Sequence, residues 1–187
     1  MESLLKGIAE YTLVSEELKS ELETRFETQF ISKNEILLKE NAYCNYFYFL
    51  EKGLIRSYFL KDGKERTYWF YDQGNFFTSW YSFYLKMPGF ETFEAIEDCH
   101  LYRISKDNFD DFAQESPRFE RFARLFIEGQ CGYIDYVTKN FMDLTAKEKY
   151  HQMLESMPDI EQRAKLGQIA SFLGMSQETL SRLRGQK

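Results

Sequence analysis

The sequence predicts an α+β fold: an antiparallel β-barrel with short helices before it, then a long helix and a small C-terminal helical unit. Residues 25–105 contain short runs of aromatic and β-branched residues separated by turn signals, which is typical of a sandwich or barrel. After Ser105 the apolar residues recur at helical spacing instead. The end of the chain then shows two short helical segments around a glycine.

The first elements are two short amphipathic helices, expected over residues 3–11 and 15–23. Ser15 is followed by Glu16 and Glu17, as at a capped helix start. Within the barrel, Asp62-Gly63 separates two apolar runs and predicts a hairpin turn. The chain has 187 residues and is 43% hydrophobic, so it can bury a real core.

A short helix over residues 106–114 precedes a long one, which begins at Ser116-Pro117 and reaches about Phe141. One apolar stripe of the long helix has the spacing of a two-stranded coiled coil and predicts a homodimer interface. Its members are Phe119, Phe122, Phe126, Gly129, Tyr133 and Tyr136. A second stripe, expected to face the barrel, holds Ala123, Ile127, Ile134, Val137 and Phe141. The alternative is one broad apolar face that packs only on its own domain.

The C-terminal unit begins after a hinge at residues 143–145, where Thr145 and Glu148 form a capping-box pattern. Residues 165–173 are apolar at helical spacing, Gly174 allows a tight turn, and Ser176 caps a second short helix. This pattern predicts a helix-turn-helix, whose second helix enters the major groove of DNA. An ordinary helical hairpin with a solvated basic face is the alternative.

The second of these helices carries residue types that read DNA. Arginine pairs with guanine, glutamine pairs with adenine, and glutamate accepts from cytosine. The expected base-reading residues are Gln177, Glu178, Ser181 and Arg182, and the expected phosphate contacts are Ser176, Thr179, Arg184 and Lys187. Residues 162–187 hold five basic side chains and one acid, a net +4 in a chain whose total is −6. A basic tip on an acidic body fits a polyanionic partner.

Several function classes lose their usual residues. His100 and His151 are isolated, and Cys44, Cys99 and Cys131 form no CxxC pair. We therefore predict no catalytic residues, no metal site, no cofactor and no disulfide framework. A cupin-type metal enzyme, the less favoured alternative, needs clustered histidines. Apolar runs are too short to span a bilayer, so we expect a cytoplasmic protein without a membrane partner.

Three stretches together resemble the Crp/Fnr superfamily of bacterial transcription regulators. They are YFYFLEKGLIRSYFLKDGKERTYWFYDQGNFF, EAIEDCHLYRISKDNFDDF and IASFLGMSQETLSRLR. The resemblance implies a jelly-roll barrel of the cyclic-nucleotide-binding type at residues 1–115, a dimerisation helix at 116–142 and a helix-turn-helix domain at 143–187. It also implies double-stranded DNA with a near-palindromic site as partner, and RNA polymerase as a partner that the sequence leaves open.

The family's recognition helix typically carries an R-E-T-V-x-R core. Residues 177–182 match it, with glutamine in place of the first arginine. The resemblance implies that Glu178 and Arg182 read bases and that Gln177 alters the preferred site. The family's wing is expected to be shortened or absent, because residues 156–164 are too few for a two-stranded hairpin and its turn.

Family members that bind cyclic nucleotides have a phosphate cassette resembling F-G-E-L followed by R-S-A. Residues 76–80 align with it here, and the arginine position falls near Pro88-Gly89-Phe90, so both charged contacts are missing. We therefore expect no cyclic AMP binding, and we expect an uncharged or aromatic effector if there is one. The expected pocket lining is Tyr58, Tyr68, Phe70, Phe76, Phe77, Thr78, Ser79 and Phe93, unless these residues are packed core. The cysteines and histidines offer no cluster for an iron–sulfur centre or haem.

The sequence thus predicts a dimeric, sequence-specific DNA-binding transcription regulator. The alternative of a different class is a ligand-binding or protein-interaction module that has lost DNA binding. Arg182 distinguishes the two, because its removal abolishes site-specific binding only if the helix reads DNA.

Overall fold

The computed structural model describes residues 1–185, apart from the side chain of Met142. The helices are α1 (Glu2–Ala9), α2 (Glu16–Arg25), α3 (Trp80–Leu85), α4 (Lys106–Glu115), α5 (Pro117–Asp143), α6 (Ala146–Ser156), α7 (Ile160–Arg163), α8 (Leu166–Phe172) and α9 (Gln177–Arg184). The strands are β1 (Glu27–Ile31), β2 (Ile36–Leu38), β3 (Tyr46–Lys52), β4 (Leu54–Lys61), β5 (Lys64–Asp72), β6 (Phe76–Phe77), β7 (Thr92–Ala95) and β8 (Cys99–Ser105). The predicted α+β class is confirmed. None of the helices described is long and apolar enough to cross a membrane.

The strands form two antiparallel sheets, in the orders β1-β8-β3-β6 and β2-β7-β4-β5. Strands β4 and β5 are joined at Asp62-Gly63, where both residues have positive φ, 53° and 69°. A two-residue turn with two such residues matches the twist of a hairpin, so the predicted Asp-Gly turn is confirmed. The ladder slips between Ser57 and Tyr58, which is a β-bulge opposite Tyr68.

Strand alternation separates the buried side chains into three clusters. The barrel cluster lies between the two sheets and includes Leu50, Ile55, Phe77, Phe93 and Leu101. The helix cluster joins outer side chains of β3, β6 and β8 to α1, α2, α4 and the first half of α5. The C-terminal cluster joins outer side chains of β4 and β5 to helices α6–α9. Because successive strand residues point to opposite faces, one strand serves two clusters.

Most predicted helix starts are present with their capping bonds. The Ser15 hydroxyl accepts from the Leu18 amide at 3.2 Å, and Pro117 occupies the first turn of α5. At α6, Thr145 and Glu148 complete a reciprocal capping box. Side-chain oxygens thus cap α2 and α6, whereas α5 begins at Pro117 without a side-chain capping bond from Ser116.

Each apolar stripe of α5 is buried in its first part and open to solvent further along the helix. Phe119, Phe122 and Phe126 of the predicted dimer seam are buried in the chain's own helix cluster. The second half of the helix is open instead, and Ile134 of the stripe expected to face the barrel is 45% exposed. The first part of the aromatic stripe is covered within the same chain by Tyr11, α4 and β6, whereas Tyr133 and Tyr136 of that stripe are exposed.

Candidate nucleic-acid interface and effector site

Helices α8 and α9 are joined by residues 173–176. Gly174 in this turn has φ of 68°, a left-handed conformation that favours glycine. The Ser176 hydroxyl accepts from the Thr179 amide at 3.2 Å and so caps α9. Leu180 is fully buried between the helices, while a Cβ at Gly167 would lie 2.9 Å from the Gln177 amide nitrogen. Gly167 therefore leaves room for the Gln177 side chain against α8.

The outer face of α9 presents the four residues predicted to read bases. Gln177, Glu178, Ser181 and Arg182 are all exposed. Within residues 1–185 no carboxylate pairs with the Arg182 guanidinium, since the ion pairs of this helix involve Arg184 instead. Arginine and glutamine on one exposed helix face are the side chains that form bidentate contacts with base edges.

The residues predicted to contact phosphates are placed less uniformly. Arg184 pairs with Glu161 of α7 at 2.8 Å. Ser176 uses its oxygen as the cap of α9, and its hydroxyl lies 3.2 Å from that of Thr179. Lys187 lies outside the described residues. Part of the basic charge that was predicted to contact DNA phosphates is therefore paired with a carboxylate of the chain itself.

Arg163 is an unpredicted link between the C-terminal unit and the barrel. Its side chain is 15% exposed and donates to Asp72, Glu97 and the Gly53 carbonyl of the barrel, and to Asp159 of its own unit. Burial alone lowers the pKa of this guanidinium, but the bonds to Glu97 and Asp72 more than offset that effect and raise it. Arg163 stays charged and fixes α7 to the β4 end of the barrel.

Helix α8 packs directly on strand β5. The Thr67 amide donates to the Ser171 hydroxyl at 3.0 Å. The Phe172 ring meets the edges of Trp69 and Phe70 at centroid distances of 5.8 and 5.5 Å. The first helix of the predicted DNA-binding pair thus rests on a barrel strand.

A polar cleft of about 550 Å³ lies between the barrel and the C-terminal helices. On its barrel side, the buried Arg56 pairs with Glu94 at 2.5 Å and with Glu65 at 2.6 Å. On its C-terminal side lie Lys165 and Gln177. A residue expected to read DNA therefore borders the barrel.

The eight residues predicted to line an effector pocket do not converge. Phe77 and Phe93 lie in the barrel cluster, whereas Phe76 lies in the helix cluster and Phe70 in the C-terminal cluster. Tyr58 stacks on Arg56 on the outer face of β4, at 4.1 Å. Phe76 and Phe77 are adjacent in one strand, so their side chains point to opposite faces.

The other predicted lining residues are Thr78, Ser79 and Tyr68. Thr78 donates its hydroxyl proton to the Tyr46 carbonyl at 2.9 Å, which is a structural bond. Ser79 is fully buried, and its oxygen has no well-formed hydrogen bond among the described residues. Tyr68, at the bulge of β5, is 52% exposed. Of the three, Tyr68 alone is exposed to solvent.

Glu91 is a buried acid beside Ser79 that the pocket prediction missed. Its carboxylate accepts from the Ser57 hydroxyl at 2.5 Å, and its side chain lies inside the barrel. Burial raises its pKa, while the hydroxyls of Ser57 and Ser79 lower it. Glu91 stands two residues before Phe93 and four before Ala95, both buried, so strand alternation was the signal that could have found it.

The remaining chemistry-bearing residues form no site in the part of the chain that is described. Cys44 and Cys99 are buried thiols and Cys131 is exposed, all unpaired in disulfides. Among residues 1–185 there is no group of three or more His, Cys, Asp or Glu side chains that could hold a metal ion.

Comparisons with known proteins agree with this architecture. Residues 28–116 match the family model described as cyclic nucleotide-binding domain. FixK2 from Bradyrhizobium japonicum is 20% identical, with a TM-score of 0.71 over 86% of this chain and 83% of that one. A CooA mutant from Carboxydothermus hydrogenoformans is 22% identical, with a TM-score of 0.69 over 92% of this chain and 80% of that one.

A regulator described as belonging to the crp/fnr family, from Eubacterium rectale, is 20% identical, with a TM-score of 0.68 over 91% of this chain and 82% of that one. No curated protein matches the chain in a sequence search. At these identities the likeness is one of fold. That likeness of fold extends from the barrel through the long helix to the C-terminal helices.

Proposed function

We propose that this chain is a dimeric, sequence-specific transcription regulator that binds double-stranded DNA. Its residues 28–116 match the cyclic nucleotide-binding domain family, and its fold is that of Crp/Fnr regulators. The observation that carries the proposal is the exposed face of α9. That face combines Gln177, Glu178 and Arg182 with an N-terminal cap and a left-handed glycine turn.

Arg182 is the residue on which base reading depends most. Its guanidinium is exposed and has no carboxylate partner among the described residues, so DNA binding breaks no ion pair. Glu178 is exposed one helical turn before it and can accept from cytosine. Arg184 must leave Glu161 to reach a phosphate, so its contribution to affinity is smaller than that of an unpaired arginine.

The second half of α5 is the proposed dimer interface. Ile127 and Ile134 are seven residues apart and recur on one face, which continues towards Phe141. Ile134, Tyr133 and Tyr136 are all about half exposed, which is unusual for large apolar side chains on one helix. Pairing this face with a second copy would bury it and would set two α9 helices about one helical turn of DNA (~34 Å) apart.

Cyclic AMP is not the proposed effector. The family resemblance puts an arginine near Pro88-Gly89-Phe90, where this chain has none, and Gly89 lies against Ser79. The charge that is buried nearby is the Glu91 carboxylate, which repels a phosphate. Contact with RNA polymerase stays a prediction.

The test is a binding measurement on a duplex enriched from a random pool, by fluorescence anisotropy at near-physiological salt. Arg182→Ala should weaken binding to that duplex by about 1–3 kcal/mol and reduce its preference over random duplex. Arg121→Ala, which removes an exposed arginine from the first part of α5, is the matched control and should bind as the unaltered chain does. Equal affinities of both variants for the enriched duplex would reject α9 as the reading helix and favour a module without DNA function.

A further inference from the structure

Four aromatic rings cross the barrel interior from one sheet to the other. Tyr48 of β3 and Phe77 of β6 lie directly opposite each other in the first sheet, with nearly parallel rings whose centroids are 5.1 Å apart. Phe77 also stacks on Tyr71 of β5 in the second sheet, at 4.7 Å. Phe93 of β7 packs at a steep angle against Phe77 and Tyr71, at 5.6 and 5.9 Å. These four side chains form the barrel stack.

The barrel stack fills space in which a ligand would otherwise lie. Phe77 and Phe93 are fully buried, and Tyr48 and Tyr71 are 3% and 7% exposed. Rings at these separations are in contact, so no further ring fits between them. A barrel of about eight strands is just wide enough either to be filled by side chains or to hold one small ligand. The stack shows which of the two cases the eight strands described here represent.

Strand β5 connects the barrel stack to the C-terminal helices. Tyr71 belongs to the stack, whereas its neighbour Phe70 points to the opposite face and contacts Phe172 of α8 at 5.5 Å. Further along the same strand, the Thr67 amide donates to the Ser171 hydroxyl at 3.0 Å. The packing of the stack therefore bears on where β5, and with it α8, can lie.

A small-molecule effector would act through the same contacts. Such a ligand shifts DNA affinity only by favouring one arrangement of barrel and helices over another. In a barrel that holds a ligand, the contacts between the two sheets depend on the ligand being present. In this chain the rings of the stack make those contacts themselves, and close-packed interiors resist rearrangement.

We propose that the barrel stack is a built-in effector: it fills the barrel, fixes β5 and so holds α8 in the arrangement that binds DNA. The inference rests on the proposed function and deepens it, since it predicts that the chain binds its DNA site without a small molecule. Phe77 is the central ring, because it stacks on both Tyr48 and Tyr71. Its removal should therefore make DNA binding depend on an added aromatic compound of the same size.

The first measurement uses the unaltered chain. Its complex with the enriched duplex is weighed by native mass spectrometry after extensive dialysis. We expect the mass of the duplex and the bound polypeptides alone, and an affinity for the duplex that neither cyclic AMP nor toluene changes. A small-molecule mass in the complex, or sequence-specific binding only when a small molecule is present, would overturn the inference and leave the proposed function standing.

The second measurement removes the central ring. Phe77→Ala opens an apolar cavity, and engineered cavities of this kind stay dry and bind benzene-like molecules. We expect the variant to bind the enriched duplex at least about tenfold more weakly than the unaltered chain, and toluene to restore most of that loss. Phe112→Ala is the matched control, because Phe112 is equally buried but lies in the helix cluster. Toluene should leave the duplex affinity of that variant unchanged.

The outcomes separate this inference from the proposed function. Full duplex affinity in Phe77→Ala, no restoration by toluene, or the same response to toluene in Phe112→Ala would overturn the inference. Melting temperatures with and without toluene, measured without DNA, show whether the cavity is occupied. Phe77→Leu, which leaves a smaller cavity, replaces Phe77→Ala if that variant does not fold. Failure of the unaltered chain to bind any duplex, even at low salt, would refute the proposed function and this inference with it.

Discussion

The two apolar stripes of α5 should respond in opposite ways to the same kind of truncation. Phe122 is fully buried, and its ring lies 5.1 Å from Phe76, 5.6 Å from Phe119 and 5.7 Å from Tyr11. Phe122→Ala removes these contacts and leaves a cavity that rigid neighbours cannot fill. The expected loss in the free energy of unfolding is about 3–5 kcal/mol.

Ile134 offers the matched comparison on the same helix. Because it is 45% exposed, Ile134→Ala should cost the single chain about 1 kcal/mol or less. In a dimer that pairs this face, the loss counts once in each copy, so the dimer dissociation constant should rise at least about tenfold. Urea unfolding at low protein concentration measures the first quantity, and sedimentation velocity over a concentration series measures the second.

The opposite pattern would refute this assignment of the stripes. If Phe122→Ala unfolded at the same urea concentration as the unaltered chain but dissociated more readily, the aromatic stripe would be the dimer seam after all. If Ile134→Ala left the dissociation constant unchanged, the open half of α5 would not be the interface.

Three further predictions concern the hinge, the link and the buried acid. Thr145→Ala removes the cap of α6 and should cost about 1 kcal/mol in urea unfolding, whereas Thr24→Ala, at an exposed position of α2, should cost less. Arg163→Met breaks the bonds to Asp72, Glu97 and Gly53. We expect the free energy of unfolding to fall by about 1–3 kcal/mol and hydrogen exchange in α7 and α8 to become faster. Unchanged exchange would show that the link is dispensable. Burial raises the folded-state pKa of Glu91 above its ordinary value of 4.5, so the melting temperature should fall as pH rises from 4.5 through that folded-state pKa. Glu91→Gln should flatten this fall. An unchanged pH profile of the melting temperature in Glu91→Gln would contradict the reasoning.

Local signals in the sequence predicted the elements well because they act over a few residues. Ser15 and Thr145 are caps, Pro117 opens α5, and Asp62-Gly63 makes the hairpin turn, all as expected. Each depends on a side chain or backbone preference that is independent of the rest of the fold. The same holds for Gly174 between α8 and α9.

The pocket was harder to predict, because its lining depends on which face of the sheet each side chain occupies rather than on composition. The expected lining grouped Phe76 with Phe77, although neighbours in one strand cannot share a face. Glu91, which directly precedes β7, was overlooked. Its spacing from the buried Phe93 and Ala95 places it on the same face as those two residues. The bulge at Tyr68 depends on strand pairing, which no local pattern reveals.

The tertiary ion pairs could not be predicted from the sequence. Arg163 and Arg184 counted towards a basic tip, yet the folded chain pairs them with Glu97 and Glu161. Such pairs join residues far apart in sequence or on different helices, so their charges cannot be assigned to a partner before the topology is known. The burial of Phe119, Phe122 and Phe126 was unforeseen for the same reason, since spacing defines two faces of α5 but not which parts of them the chain itself covers.

Selection of bound duplexes from a random-sequence pool tests DNA reading by α9 most directly. The purified chain should be used at near-physiological salt, where nonspecific binding is suppressed, with Arg182→Ala selected in parallel. We predict that the unaltered chain enriches an inverted repeat whose half-sites are centred about one helical turn, 10–10.5 base pairs, apart. A pool indistinguishable from that recovered with Arg182→Ala would contradict the proposal that this chain is a sequence-specific dimeric regulator.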